Sequence, residues 1–215
     1  VACLIEKNVL SIRKKVKKKI KKQIFPLRNE FIHNLLKNIS NNTKIISTTG
    51  YTSRELMQIR KEQKLFKGKD FYMVGGMGHA SMVSLGYSLS SKKNIICLDG
   101  DGSILMHLGS LRTFGLLGNP NLKHILLNNN SHESVGGQPT SAHGIDFKRL
   151  VKSIGYKNYF KIKDKSKVKL IIKKFLKSKG PSFLEVLISL GSIKNLDRPK
   201  NLVEIKKKIY GVVYE

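Results

Sequence analysis

Two kinds of block alternate along this chain. Short, almost continuously apolar runs are followed by longer stretches whose apolar positions recur at intervals of three and four. The short runs predict strands: KIISTT (44–49), FYMVG (71–75), NIICLDG (94–100), HILLNNN (124–130), NYFKI (158–162) and SFLEVLI (182–188). The longer stretches predict helices at 26–39, 53–66, 80–90, 104–117, 147–155 and 168–178. Strands that alternate with helices imply βαβ units and a parallel sheet. Runs such as IICL and ILL carry no polar alternation, as expected where both faces of a sheet are covered. The fold class is therefore α/β, a doubly wound, mostly parallel sheet with helices on both faces. The flanks differ from this pattern. Residues 1–10 (VACLIEKNVL) read as the last strand of a preceding domain, and 11–40 as a basic linker and a helix. The main domain covers 41–190, and 191–215 read as a basic tail.

Two neighbouring strands end in small polar residues that favour neither strand nor helix: GDGS (100–103) and NNNS (128–131). In open parallel sheets, ligands sit beyond the carboxyl ends of the strands. One crossover unit joins the two endings, so both reach the same edge. Gly100 and Gly102 let a backbone approach a ligand closely. Asp101 offers a hard carboxylate, Asn129 an amide oxygen, and Ser103 stands where the next helix begins, with free N–H groups facing an anion. That donor set suits a magnesium ion that keeps the oxygens of a diphosphate as its remaining ligands.

Charge adds less than its size suggests. The 215 residues carry a formal net charge of +27, which invites a nucleic-acid reading. Lysine supplies most of it, spread over every polar face, whereas readers of base edges and phosphates use more arginine. The densest run, RKKVKKKIKKQ (13–23), has apolar residues only at four-residue spacing. It reads as a solvated helix or linker, with a polyanion-binding segment as the alternative. It lacks the interleaved aromatics on which bases stack. Cys3 and Cys97 are too few for a disulfide framework, no apolar run is long enough to span a bilayer, and a cytoplasmic location is expected.

The segment from Thr48 to Pro139 resembles the thiamine diphosphate enzymes. It carries TTGYTSRE, GGMGHA, CLDGDGS and NNNSHESVGGQPT. Gly-Asp-Gly, then a helix, then a strand ending in Asn-Asn is that family's signature, and SVGGQPT is similar to phosphonopyruvate decarboxylases and their neighbours, the sulfopyruvate decarboxylases. The resemblance implies that Asp101, the side chain of Asn129 and the carbonyl of Ser131 bind Mg²⁺, and that Gly102 and Ser103 contact the diphosphate of thiamine diphosphate. It also implies cofactor contacts from Thr49, Gly50, Gly75, Gly76, Met77, Gly78 and Gly100. The Gly75 carbonyl would meet the 4′-amino group, and Met77 would be the wedge that bends the cofactor. Taken alone, Met77 reads as a core residue at a helix start; beside GDGS it reads as the wedge. The chain departs from the family pattern at Gly76, where serine is common, at Tyr51, where lysine is common, and at Asn130 and Ser131, where smaller residues are usual.

The resemblance further implies non-oxidative decarboxylation of 3-phosphonopyruvate to phosphonoacetaldehyde and CO₂, with sulfopyruvate or another 2-keto acid as the alternative substrate. A dianionic phosphonate needs cations and donors. Arg54, His79, Ser134 and Gln138 are the substrate candidates, and His132 and Glu133 the catalytic ones. Each has a bland alternative, with Arg54 pairing on a helix surface and His79 serving only a helix N-terminus. His143 is a candidate for a lid, and His107 and His124 read as structural. The family activates its cofactor with a glutamate from a separate pyrimidine-binding domain, which nothing here resembles beyond the strand around Glu6. A partner domain or subunit in a homo- or hetero-oligomer is therefore expected. GGMGHAS also mimics a dinucleotide fingerprint, but Ser81 stands at its third glycine and its acid is flanked by glycines.

Overall fold

The computed structural model describes residues 24–63 and 70–210. The expected strand at 1–10 and the basic run at 13–23 lie outside the described residues. Six strands form one sheet: β1 (Lys44–Ser47), β2 (Phe71–Tyr72), β3 (Ile95–Gly100), β4 (Leu122–Asn128), β5 (Asn158–Ile162) and β6 (Ser182–Leu187). Their spatial order is β2-β1-β3-β4-β6-β5, and every pairing is parallel. The helices are α1 (Arg28–Leu36), α2 (Tyr51–Gln63), α3 (Ala80–Leu89), α4 (Asp101–Met106), α5 (Ser110–Leu117), α6 (Phe147–Ser153), α7 (Val168–Lys177) and α8 (Leu202–Tyr210).

Alternate residues of each central strand feed two separate cores. Ile45, Ile96, Leu98, Ile125 and Leu184 pack with Phe31, Leu35, Leu56, Ile172 and Phe175 of α1, α2 and α7. Ile46, Ile95, Cys97, Leu126 and Phe183 pack with Leu85, Leu111, Phe114, Phe147 and Val151 of α3, α5 and α6. Both sets are buried, which is why these strands read as unbroken apolar runs. Lysines take the outward positions of a helix such as α7, whose Val168, Ile172 and Phe175 face inward.

From β1 the chain crosses to β2 on one side and then returns to β3 on the other. The winding direction therefore reverses between β1 and β3, and a crevice opens beyond their carboxyl ends.

Three details depart from the pattern-based expectation. The helix expected at 104–117 begins at Asp101 and breaks at His107, whose φ of −139° and ψ of 54° are not helical. At the break the His107 ring packs on Gly78, where a Cβ would come within 2.5 Å of it. The second strand stops at Tyr72, and the expected residues 73–75 instead form a loop in which Gly75 and Gly76 have φ of 72° and 53°. In the expected basic tail, residues 202–210 form α8.

Candidate functional site

Three strand ends and two loops enclose one cleft. The lining includes Thr49 after β1, Met77 from the loop before α3, Gly100, Asp101, Gly102 and Ser103 at the β3–α4 turn, and Asn129, Ser131, His132, Glu133 and Ser134 after β4. The structure thus brings together all three expected metal ligands, both expected catalytic residues and the core of the expected diphosphate cradle.

Asp101 opens α4 and is buried, 3% exposed. Its Oδ2 accepts a 2.6 Å hydrogen bond from the Thr140 hydroxyl. Burial pushes its carboxyl above the usual range, opposed by the Thr140 bond, nearby backbone N–H groups and the His132 ring. A buried carboxylate with so little neutralising charge is what a bound cation would stabilise.

Ser103 acts as a bolt. Its Oγ lies 2.7 Å from the Thr48 hydroxyl and accepts the Gly78 N–H at 3.0 Å. One side chain therefore ties the end of β1, the Gly75–Gly78 loop and the β3–α4 turn together. The hydroxyl is engaged, which leaves the backbone of the turn to face a ligand.

Gly102 has close neighbours on its open side. A Cβ there would lie 2.5 Å from His132 Cε1 and 3.3 Å from Met77 Cε. Met77 and His132 thus converge over the same backbone from opposite loops.

The loop 130–140 is closed on itself. Thr140 N–H donates to the Asn130 carbonyl, His132 N–H to the Gln138 carbonyl, and Ser131 bridges Pro139. Asn130 takes a left-handed φ of 53° at the exit from β4, a conformation asparagine tolerates better than most residues. Asn129 Oδ1 accepts the Ser131 N–H at 3.1 Å, and its Nδ2 donates to Glu133 Oε2 at 3.1 Å.

Glu133, expected to act in catalysis, has both oxygens engaged. Oε2 also accepts from Arg28 Nη2 at 2.5 Å, and Oε1 accepts the Gly191 N–H at 2.5 Å. The carboxylate is a hub that holds its neighbours while it lines the cleft.

Other expected residues lie at the margins. Gly50, with φ of 91°, packs against Ser134: a Cβ would meet its Oγ at 2.9 Å. Gly78, also at φ 91°, packs on the Ser103 carbonyl. Gly75, Gly76, His79 and His143 are exposed. His79 precedes α3 without capping it; its Nδ1 lies 3.2 Å from the Gly76 carbonyl and its ring 4.2 Å from that of His107. His107, expected to be structural, is exposed there. Gln138 is exposed and folds over Gly136. Arg54 stands over the Tyr51 ring, 5.8 Å from its centroid, and does not line the cleft.

Arg28 is the residue that the sequence did not single out. It lines the cleft from α1, is 4% exposed, and lies 3.6 Å from Glu55 as well as bonding Glu133. Glu55 is fully buried, accepts the Ile193 N–H, and has its carboxyl pushed up by burial against the opposing pull of Arg28. Only an arginine standing near the start of an apolar helix was visible in the sequence; its partners lie far along the chain.

A second polar cluster lies inside the sheet. Ligand atoms of Cys97, Asp99 and His124 fall within 4.8 Å of one another, all buried. His124 Nδ1 lies 2.8 Å from the Tyr156 hydroxyl and its Nε2 3.4 Å from Asp99. These residues belong to the body of β3 and β4, away from the cleft.

A family model for the thiamine pyrophosphate enzymes, C-terminal TPP binding domain, matches residues 47–186. The chain belongs to this family. Among curated relatives, the phosphonopyruvate decarboxylase of Streptomyces viridochromogenes is 35% identical over 175 residues, covering 81% of this chain and 43% of that protein. Sulfopyruvate decarboxylase subunit beta of Methanothermobacter thermautotrophicus is 34% identical over 171 residues, covering 78% of this chain and 87% of that one. The chain spans less than half the length of the phosphonopyruvate decarboxylases it matches. A crystal structure assigned to the thiamin diphosphate-dependent enzymes, from Mycobacterium smegmatis, superposes with a TM-score of 0.62 at 16% identity, covering 77% of this chain and 32% of that one. The fold is thus that of a thiamine diphosphate enzyme, and thiamine diphosphate is its cofactor. Among the described residues, no helix is long and apolar enough to cross a membrane.

Proposed function

We propose that this chain is the diphosphate-binding part of a thiamine diphosphate- and Mg²⁺-dependent decarboxylase that converts 3-phosphonopyruvate to phosphonoacetaldehyde and CO₂. The observation that carries the reading is the meeting of buried Asp101 and half-buried Asn129 and Ser131 on one cleft with the glycine turn 100–102. Asp101, the Asn129 amide oxygen and the Ser131 carbonyl would hold the metal, with the turn backbone at Gly102 and Ser103 facing the diphosphate. Asn129 Oδ1 keeps a second lone pair beside the one taken by Ser131 N–H, so it can still ligate. Met77, reaching over Gly102, supports the wedge role expected of it.

When bound, the cofactor supplies an electron sink for the carbanion left as CO₂ departs. This chain's own residues hold and orient. The Glu133 hub holds the Asn129 amide nitrogen, which would leave the amide oxygen for the metal, a positioning role in place of proton transfer. His132, the titratable group over the turn, would hold or deliver the proton that the aldehyde carbon requires. Thr49 and Ser134 would donate to anionic oxygens, with Gly50 admitting Ser134. Arg54, His79 and Gln138 stand outside the cleft lining and fit an outer position at most. The activating glutamate would come from a pyrimidine-binding domain or partner subunit, in a homo- or hetero-oligomer.

Sulfopyruvate is the second substrate the reading admits, since the relatives named above include a sulfopyruvate decarboxylase subunit at almost the same identity. CO₂ release by the natural full-length protein, supplied with 3-phosphonopyruvate or 3-sulfopyruvate, tests the proposal. Release from the phosphonate, lost in Asp101→Asn, supports it. Release from the sulfonate alone would transfer the activity to the second substrate, and release from neither would overturn both substrate readings in favour of another 2-keto acid.

A further inference from the structure

Buried polar atoms without hydrogen-bond partners are rare in folded proteins, and each calls for an explanation. Among the described residues they include Arg28 Nη1, Glu55 Oε2 and Ser131 Oγ. Arg28 and Ser131 both line the cleft, and Glu55 stands directly behind Arg28. Three of these orphaned atoms are therefore at or directly behind the cleft; Tyr87 and His124 carry others elsewhere in the fold.

The Arg28 side chain is 5% exposed and tightly held. Nη2 donates to Glu133 at 2.5 Å, and the guanidinium lies 5.7 Å from the Tyr51 ring centroid. Nη1 makes no hydrogen bond, and its nearest carboxylate oxygen, on Glu55, is 3.6 Å away. A guanidinium hydrogen-bonded by one edge, and only loosely ion-paired with Glu55 through the other, keeps a donor beside a polar cleft for an oxyanion. The Thr49, Thr52 and Ser134 side chains line the same cleft and add donors. Arg54 shares the Tyr51 ring but has no lining position.

We propose that Arg28 is the oxyanion-binding residue of the cleft, its Nη2 staying on Glu133 while Nη1 donates to a phosphate-type oxygen. This rests on placing the diphosphate in this cleft. The oxygen could belong to the cofactor's terminal phosphate or to the acidic group of the substrate, and the shared chemistry is a tetrahedral oxyanion.

The test is calorimetric titration of the natural full-length chain with inorganic pyrophosphate plus Mg²⁺, and separately with methylphosphonate in the presence of thiamine diphosphate and Mg²⁺. Arg28→Lys keeps a charge near Glu133 but loses the fork. It is expected to weaken one of the two probes about tenfold or more, the loss of a charge-assisted hydrogen bond. Loss on pyrophosphate with Mn²⁺ affinity unchanged assigns Arg28 to the cofactor, and loss on methylphosphonate assigns it to the substrate. Loss on pyrophosphate matched by lost Mn²⁺ affinity would overturn the proposal, Arg28 then acting only through Glu133 and Asn129. Arg54→Gln is expected to leave both affinities within about twofold. Unchanged affinities in Arg28→Lys, or weakening in Arg54→Gln in its place, would overturn the proposal. Should Arg28→Lys not fold, the side-chain NMR signals of Arg28 in the unaltered protein decide: a shift on adding one of the probes supports the assignment, and no shift with either overturns it. Asp101→Asn separates the two levels. If pyrophosphate binding depends on Asp101 but neither probe depends on Arg28, the cleft reading stands and the Arg28 assignment falls. If the unaltered protein binds neither probe, both fall.

Discussion

Asn129 Nδ2 donates to Glu133 Oε2 at 3.1 Å, four residues on in the same loop. The amide is thereby fixed with its nitrogen turned to the carboxylate and its oxygen towards Ser131. Glu133 is fixed in turn by Arg28 and the Gly191 N–H. As the proposed metal ligand, Asn129 would depend on this support: removing such partners costs roughly 10–100-fold in metal affinity. Glu133→Gln is therefore expected to weaken Mn²⁺ binding about tenfold, measured by electron paramagnetic resonance titration, while Glu133→Ala also lowers the melting temperature.

Gly102→Ala places a methyl 2.5 Å from His132 Cε1 and 2.7 Å from its Nδ1. The His132 ring must swing away, and the cradle gains a side chain where the diphosphate would rest. The fold should survive, since a side chain beside a cleft can move. Thiamine diphosphate affinity should fall by about tenfold or more, read by calorimetry, with melting temperature nearly unchanged.

Away from the cleft, Asp70 Oδ2 accepts from Arg60 Nε at 2.7 Å, and Oδ1 accepts the Ile45 N–H at 3.1 Å. The pair is buried and joins α2 to the start of β1 and β2. Removing one member of a buried ion pair leaves the other uncompensated, at a cost of about 3–5 kcal/mol. Asp70→Ala should destabilise by about that amount in urea unfolding, with Asp70→Asn intermediate because the Ile45 bond can be kept.

Lys123 supplies a pH signature. Burial lowers its ammonium from the usual 10.5 to about 8, although Nζ donates to the Ser178 carbonyl. Between about pH 8 and 10.5 the unfolded chain binds this proton and the folded one does not. Stability from this group therefore rises with pH across that window. Cys97, whose thiol is held well above its usual range by burial, works in the opposite direction as the pH climbs. The comparison must therefore be between proteins: the stability advantage of Lys123→Met over the unaltered chain should shrink as pH rises from 7 to 10, in urea melts. A constant difference would contradict the burial effect.

How much of this was legible in the sequence follows from how local each signal was. The strands were legible because IICL and ILL are buried on both faces, a property of the runs themselves. Asp101 and Asn129 were legible because each sits in a short polar string at the end of an apolar run. The break between α4 and α5 was not, since apolar spacing continues across His107, whose backbone is not helical. The 202–210 helix was hidden by the lysines around it. Arg28 was hidden more deeply. In a chain this basic one more cation carries no signal, and its partner Glu133 is 105 residues away. Glu133 drew notice for standing beside His132, but its holding role comes from Arg28 and Gly191, which only the fold brings near.

The most direct test of the proposed metal cleft is anomalous diffraction from crystals of the full-length protein grown with thiamine diphosphate and Mn²⁺. A peak within about 2.0–2.3 Å of Asp101, the Asn129 amide oxygen and the Ser131 carbonyl is the predicted result. A peak at Cys97, Asp99 and His124, or none beside Asp101, would contradict it.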